Sequence, residues 1–253
     1  MKDKIVLITG ASSGIGLACA KQFASSGAKL LLCARRLDDL KALAAQLLRD
    51  YGAQSHVFAL DVRQGMSVNN VLTHLPNEWK KIDLLINNAG LAAGLDPIQT
   101  SDLQDWEDMI DTNMKGLLYV TRAVLPQMIE RDEGHIINIG SVAGHEVYPK
   151  GAVYCATKHA VNVITKGLRC DLFGTKVRVS TVDPGAVETH FSLVRFKGDE
   201  QRAAAVYEGM TPLTPEDVAD AVFYCATRPA HVNINEIIMM PTDQVSVTMI
   251  SRH

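Results

Sequence analysis

The segment KIVLITGASSGIG, residues 4–16, limits the possible fold more than any other part of the chain. A run of β-branched and leucine side chains passes directly into a turn with glycines at 10, 14 and 16. The alanine-rich helical pattern GLACAKQFASSG follows at once. A buried strand that enters a helix through a tight glycine turn is the opening of a β-α-β unit. The same alternation continues to the end of the chain. Further strands are expected at 29–34, 55–60, 83–87, 135–140, 177–182 and 235–240. Helical patterns lie between them at 38–52, 66–75, 103–131, 152–174 and 214–227. Nearly continuous apolar strands separated by helices require a parallel sheet covered on both faces. With right-handed crossovers, the expected fold class is α/β: a doubly wound, seven-stranded, Rossmann-like sheet in a single domain over residues 1–253. Residues 184–213, with three glycines, two prolines and mixed charge, interrupt the alternation and read as a substrate loop or lid.

Hydrophobic residues make up 47% of the chain and charged residues 21%, so a large core is expected and disorder is not. The net charge of −3 is spread along the sequence and gives no basic footprint for nucleic acid or an anionic membrane. No apolar run reaches membrane-spanning length and no signal pattern precedes KIVLIT, so a cytoplasmic protein is expected. The five cysteines are scattered without a C-x-x-C pair, which predicts neither a disulfide framework nor a metal site.

Glycines spaced G-x-x-x-G-x-G let a pyrophosphate approach the backbone at a helix N-terminus, and Ser12 and Ser13 add hydroxyl donors. The second strand ends CARRLDD. Ala34 stands where an NAD site carries an acidic residue, and Arg35 and Arg36 follow. Two guanidiniums ahead of a helix suit a 2′-phosphate, so the expected cofactor is NADP(H), with Asp38 as the helix cap. Further along, INNAG (86–90) closes the fourth strand. Asn113 and Gly116, poor interior helix formers, point to a distortion or a polar role in the long helix. Ser141 ends the fifth strand. Tyr154 and Lys158 then share one helix face a turn apart. His135, Cys155 and His159 read as packing residues.

The set TGASSGIG, NNAG, Asn113, Ser141, YCATK and Pro184-Gly185 resembles the short-chain dehydrogenase/reductase family, in order and spacing, over essentially the whole chain. The resemblance implies a catalytic tetrad of Asn113, Ser141, Tyr154 and Lys158. It implies cofactor contacts at Thr9, Gly10, Ser12, Ser13, Gly14, Ile15, Gly16, Asp61, Val62, Asn87, Ala89, Gly90, Tyr154, Lys158, Pro184, Gly185 and Val187, beside Arg35 and Arg36. Tyr154 would be the acid or base, its phenol lowered by Lys158 and the nicotinamide charge. Ser141 would hold the carbonyl oxygen. Lys158 would also hold the nicotinamide ribose, and Asn113 a water leading from Lys158 to solvent.

Longer stretches, among them EWKKIDLLINNAGLAAG, VRFKGD and PAHVNINEIIMMPT, resemble the bacterial NADP-dependent 3-hydroxy acid dehydrogenase branch of that family. This implies hydride transfer between NADP(H) and a small 3-hydroxy acid of the serine, allo-threonine or 3-hydroxypropionate/malonic semialdehyde type. Another carbonyl substrate (steroid, sugar or aldehyde) and a non-catalytic NADP(H)-binding regulator are the alternatives. A carboxylate needs a cationic anchor, for which Arg195, Lys197 and Lys150 are the candidates. The family also implies a homotetramer, and apolar positions on more than one face of 152–172 agree with one.

Overall fold

In the computed structural model, which describes residues 1–253, the first strand β1 (Ile5–Thr9) sends alternate side chains to opposite faces. Val6 and Ile8 enter a core of 27 buried residues, Ile5 and Leu7 a second core of 18. Both faces are apolar, which is why the strand reads as one hydrophobic run. Strands β2 (Lys29–Ala34) and β3 (Ser55–Ala59) extend the sheet on one side of β1. On the other side lie β4 (Ile82–Asn87), β5 (Gly134–Ile139), β6 (Val177–Pro184) and β7 (Glu236–Met239). The order is β3-β2-β1-β4-β5-β6-β7 and every pair is parallel. The first core is closed by α1 (Gly14–Ser25), α2 (Leu37–Tyr51) and α9 (Pro215–Thr227). The second is closed by α3 (Gly65–Thr73) and α5 (Leu117–Glu130). The chain runs outward from β1 to β3 and returns to β4, so a crevice opens where β1 and β4 part at their carboxyl ends.

The helical pattern expected over 103–131 is three segments. α4 (Leu103–Ile110) leads into a π-helical turn (Asp111–Gly116) and then into α5. The wide turn takes in both Asn113 and Gly116, and a Cβ at Gly116 would stand 2.7 Å from Val62 Cγ2. The cap expected at Asp38 is corrected. α2 starts at Leu37, Arg36 takes the N-cap position through its backbone, and no side chain caps the helix. Asp38 and Asp39 lie in the first turn, where carboxylates still favour the dipole.

Residues 184–213 hold more regular structure than their sequence suggests, with α7 (Phe191–Arg195) and α8 (Glu200–Ala205). The segment is latched at two points to residues 94–105. The Gly94 N–H donates to the Arg195 carbonyl at 3.0 Å. The Lys197 ammonium meets Asp105 at 2.9 Å and Asp102 at 3.4 Å. No helix is long and apolar enough to cross a membrane.

Candidate active site

Gly10 and Gly14 turn the chain from β1 into α1 with φ of +64° and +53°, values that favour glycine. At Gly16 the constraint is contact: a Cβ would lie 2.4 Å from the Gly10 carbonyl oxygen and 2.5 Å from Asn88 Nδ2. Ser13 sits at the N-cap of α1 but makes no side-chain hydrogen bond to it, so the first-turn amides stay available to an anion. Gly10, Ser12, Ser13, Gly14 and Ile15 form one wall of an open cleft that also takes in Arg35 and Tyr154. Gly16→Ala must push the turn away from α1, and a fall in NADPH affinity of about tenfold with a lower Tm is expected. Fluorescence titration and thermal melts measure both, and unchanged values would contradict this packing.

Next to this turn, after β2 and β3, the cleft is lined by Ala34, Arg35, Arg36, Asp61, Val62 and Arg63. Arg36 is bonded to Asp39 of its own helix. Arg63 clamps Asp61 at 2.7 Å and Asp108 at 2.8 Å, and its hydrogen bonds hold the Asp61 carboxyl below the usual carboxylate range. Arg35 forms no salt bridge, although its charge also reaches Asp61, and is the guanidinium left for an added phosphate. Sequence reasoning passed over Arg63, whose only signal was its place two residues after Asp61.

Three residues carried over as cofactor contacts do not line the cleft. Thr9 is buried, and its hydroxyl accepts from the Asn88 and Ala89 amides at 3.0 and 2.9 Å. Asn87 Nδ2 donates to Thr121 and Asn138, both at 2.9 Å. Thr9 thus fastens the end of β1 to the residues after β4, Gly16 packs against that turn, and Asn87 ties β4 to β5 and α5. Asn88 lines the cleft instead, donating to the Thr9 and Gly10 carbonyls at 2.9 and 3.1 Å. Ala89, Gly90, Pro184, Gly185 and Val187 line it as well.

Ser141 follows β5, and α6 (Ala152–Asp171) carries Tyr154 and Lys158; the three meet in this cleft. The Ser141 hydroxyl accepts from the Ala143 amide at 3.1 Å, so its own proton is free for an oxygen in the cleft. Lys158 Nζ donates to the Ile139 carbonyl at 2.9 Å. Burial pushes Lys158 down to about 8, with Asp183 opposing. The Tyr154 phenol is itself buried. Burial pushes it up, and the Arg195 charge and the Ser141 hydroxyl oppose that only in part. Lys158 Nζ is 6.0 Å from the Tyr154 ring centroid, whereas the Arg195 Cζ is 5.0 Å from it. At neutral pH the resting phenol holds its proton and is an acid.

The Asn113 side chain is fixed on two sides. Its Oδ1 accepts from the Leu91 amide at 2.9 Å. Its Nδ2 donates to the Leu91 carbonyl at 2.8 Å and to Thr157 at 3.1 Å. No side-chain donor remains for a water; the amide ties the π-turn to the loop after β4 and to α6.

Beside Tyr154 a smaller cavity is lined by Trp106, Tyr148, Lys150 and Arg195. Arg195 donates from Nη2 to the Tyr148 hydroxyl at 2.7 Å and also stacks near Phe191, while its buried Nε has no partner. Lys150 is exposed at the rim, and Lys197 is drawn away to Asp102 and Asp105. Trp106, Tyr148 and Phe191 went unnoticed because no spacing rule ties an isolated aromatic residue to a site. His135 is a packing residue, buried against Ser180 and pushed down to about 3.

Comparison with known proteins gives a consistent result. Residues 4–199 match the short chain dehydrogenase family. The chain is 51% identical over 241 residues, 95% of its length and 96% of the relative's, to the NADP-dependent 3-hydroxy acid dehydrogenase YdfG of Salmonella typhi. It is 50% identical over 241 residues, 95% of each chain, to sulfoacetaldehyde reductase 2 of Chromohalobacter salexigens. Among solved structures it is similar to the closed form of serine dehydrogenase complexed with NADP+, at 47% identity and a TM-score of 0.92 over 98% of this chain and 99% of that one.

Proposed function

Since the chain belongs to the short-chain dehydrogenase family, we propose that the cleft residues above are its NADP(H) site and that Tyr154 is its acid and base. The protein is an NADP-dependent oxidoreductase acting on the hydroxyl or carbonyl of a small 3-hydroxy acid. NADP(H) fits a cleft with Gly10 and Gly14 at a helix start whose cap makes no side-chain bond, and with an arginine in no salt bridge where the 2′-phosphate belongs. When bound, it supplies the hydride to the carbonyl carbon in reduction and accepts it in oxidation. Gly10, Ser12, Ser13, Gly14 and Ile15 would hold the pyrophosphate, Arg35 the 2′-phosphate and Lys158 the ribose hydroxyls.

In reduction the Ser141 hydroxyl donates to the substrate carbonyl oxygen, and the Tyr154 O–H delivers its proton to that oxygen as negative charge grows there. In oxidation the same proton returns to Tyr154. The Lys158 ammonium favours the phenolate form of Tyr154, and this help is lost as pH rises through about 8. Residues 184–213 serve as the lid that shuts water out, and the Lys197 latch to Asp105 and Asp102 supports this.

The observation that carries the substrate assignment is Arg195. Its guanidinium is 5.0 Å from the Tyr154 ring, in the cavity beside it, with Nε unpartnered. In a 3-hydroxy acid one carbon separates the carbinol from the carboxylate, so a carbinol at the phenol would bring the carboxylate towards the neighbouring guanidinium. A sulfonate offers the same cation three acceptor oxygens, in line with the sulfoacetaldehyde reductase relative. A steroid or sugar has no such charge to place there. Arg195→Ala is expected to raise KM for 3-hydroxy acids about 10–100-fold, the worth of one or two charged hydrogen bonds. A neutral secondary alcohol should be affected far less in steady-state assays. Equal effects on both would remove the anchor. Lys150 at the rim is the second candidate for the same role.

A cytoplasmic homotetramer completes the proposal. Exposed Leu118 and Tyr119 on α5, Val163 on α6 and Phe173 just beyond support burial against further copies of the chain. Sedimentation velocity on the full chain tests it.

A further inference from the structure

At the carboxyl end of β6, directly before Pro184 of the cleft, Asp183 is fully buried. The residue opposite it is Gly140, whose Cβ would stand 1.8 Å from Asp183 Oδ1 and 3.3 Å from Asn162 Oδ1. Gly140 lies between Ile139, whose carbonyl holds Lys158, and Ser141. A missing side chain at the centre of the catalytic group thus admits a carboxylate. Asp183 Oδ2 is 2.7 Å from His145 Nε2, and Glu236 Oε1 is 3.8 Å from the same nitrogen. Asp183 Oδ1 and Asn162 Oδ1 have no partner. The charged or titratable groups facing Asp183 are His145 after β5, Lys158 on α6 and Glu236 on β7. A buried carboxylate with one bare oxygen is destabilising unless a cation offsets it. Neither the tetrad nor the cofactor contacts use this one.

We infer that Asp183, oriented by His145, is a positioning residue for the reaction, its carboxylate being the buried counter-charge that keeps Lys158 an ammonium. The inference rests on the catalytic reading of Lys158 above. The electrostatics agree in sign. Burial pushes Lys158 down to about 8 and Asp183 opposes this; burial pushes Asp183 up to about 6 and His145 opposes that. Between about pH 6 and 8 both groups are charged. Below that window Asp183 takes up a proton and its support lapses, and above it Lys158 loses its own. The short His145–Asp183 contact needs a proton between the two atoms, and half-buried His145 connects the pair to solvent.

The test is the pH dependence of both kcat/KM and NADPH affinity, measured on the full-length wild type, Asp183→Asn, His145→Ala and His145→Gln. Asp183→Asn should move the alkaline limb of both profiles down by about one pH unit, a loss of about tenfold above the shifted limb. His145→Ala should move the acid limb upward, because Asp183 loses its donor. His145→Gln, which keeps an N–H for the carboxylate, should restore it. Profiles that superimpose on the wild type after a uniform scaling would leave Asp183 a packing role only and overturn the inference. If Asp183→Asn does not fold, the two His145 variants decide by the same criterion. If the wild type turns over no substrate, the catalytic reading fails, while the NADPH affinity profiles still decide whether Asp183 sets the charge on Lys158.

Discussion

Tyr154→Phe is expected to lower kcat/KM for a 3-hydroxy acid by roughly 10³-fold, within the range set by losing a general acid. The substitution removes one hydroxyl and little else. The Tyr154 ring packs edge-on against Phe191 at 5.7 Å and under the Arg195 guanidinium at 5.0 Å, and phenylalanine keeps both contacts. Because Lys158 is held by the Ile139 carbonyl and not by the phenol, its grip on the cofactor should survive. NADPH affinity is therefore expected to stay within about twofold while turnover collapses. Stopped-flow or steady-state kinetics with a parallel binding titration separates the two quantities. Retention of more than about a tenth of the rate would show that another group delivers the proton.

Arg35→Ala carries the second large expectation, a fall of about 10–100-fold in the preference for NADP+ over NAD+. The two arginines of CARRLDD are not equivalent in the folded chain. Arg36 is already bonded to Asp39, and Asp61 is held by Arg63, leaving Arg35 as the guanidinium able to meet a phosphate. The loss should fall on NADP+ binding alone, because Ala34 offers no carboxylate to hold the ribose hydroxyl of NAD+. Ratios of kcat/KM for the two cofactors measure it. An unchanged ratio, or a larger effect of Arg36→Ala, would contradict the assignment.

What could be read in advance was whatever depends on local spacing. The G-x-x-x-G-x-G turn, the period-two strands and the Tyr154–Lys158 step each follow from neighbours in sequence, and so they and the sheet class were legible. Asn113 and Gly116 marked the π-turn for the same reason: poor helix formers inside a long helix signal a distortion. What escaped depends on partners met only through space. Arg195 finds Tyr148 across 47 residues, and Asp183 finds His145 across 38. Together these contacts decide which charges act on Tyr154 and Lys158. Thr9 and Asn87 show the same limit. They occupy family motif positions, yet their side chains turn to neighbouring strand ends, and a motif does not say which way a side chain points.

The measurement that bears most directly on the central assignment is the initial rate of NADPH formation when the full-length protein meets NADP+ with serine, allo-threonine, 3-hydroxybutyrate or a neutral secondary alcohol. The expected result is turnover of the hydroxy acids with NADP+, with kcat/KM at least about tenfold above both the neutral alcohol and the same reaction with NAD+. A faster reaction with the neutral alcohol, or no NADPH from any hydroxy acid, would contradict the assignment of this site to 3-hydroxy acids.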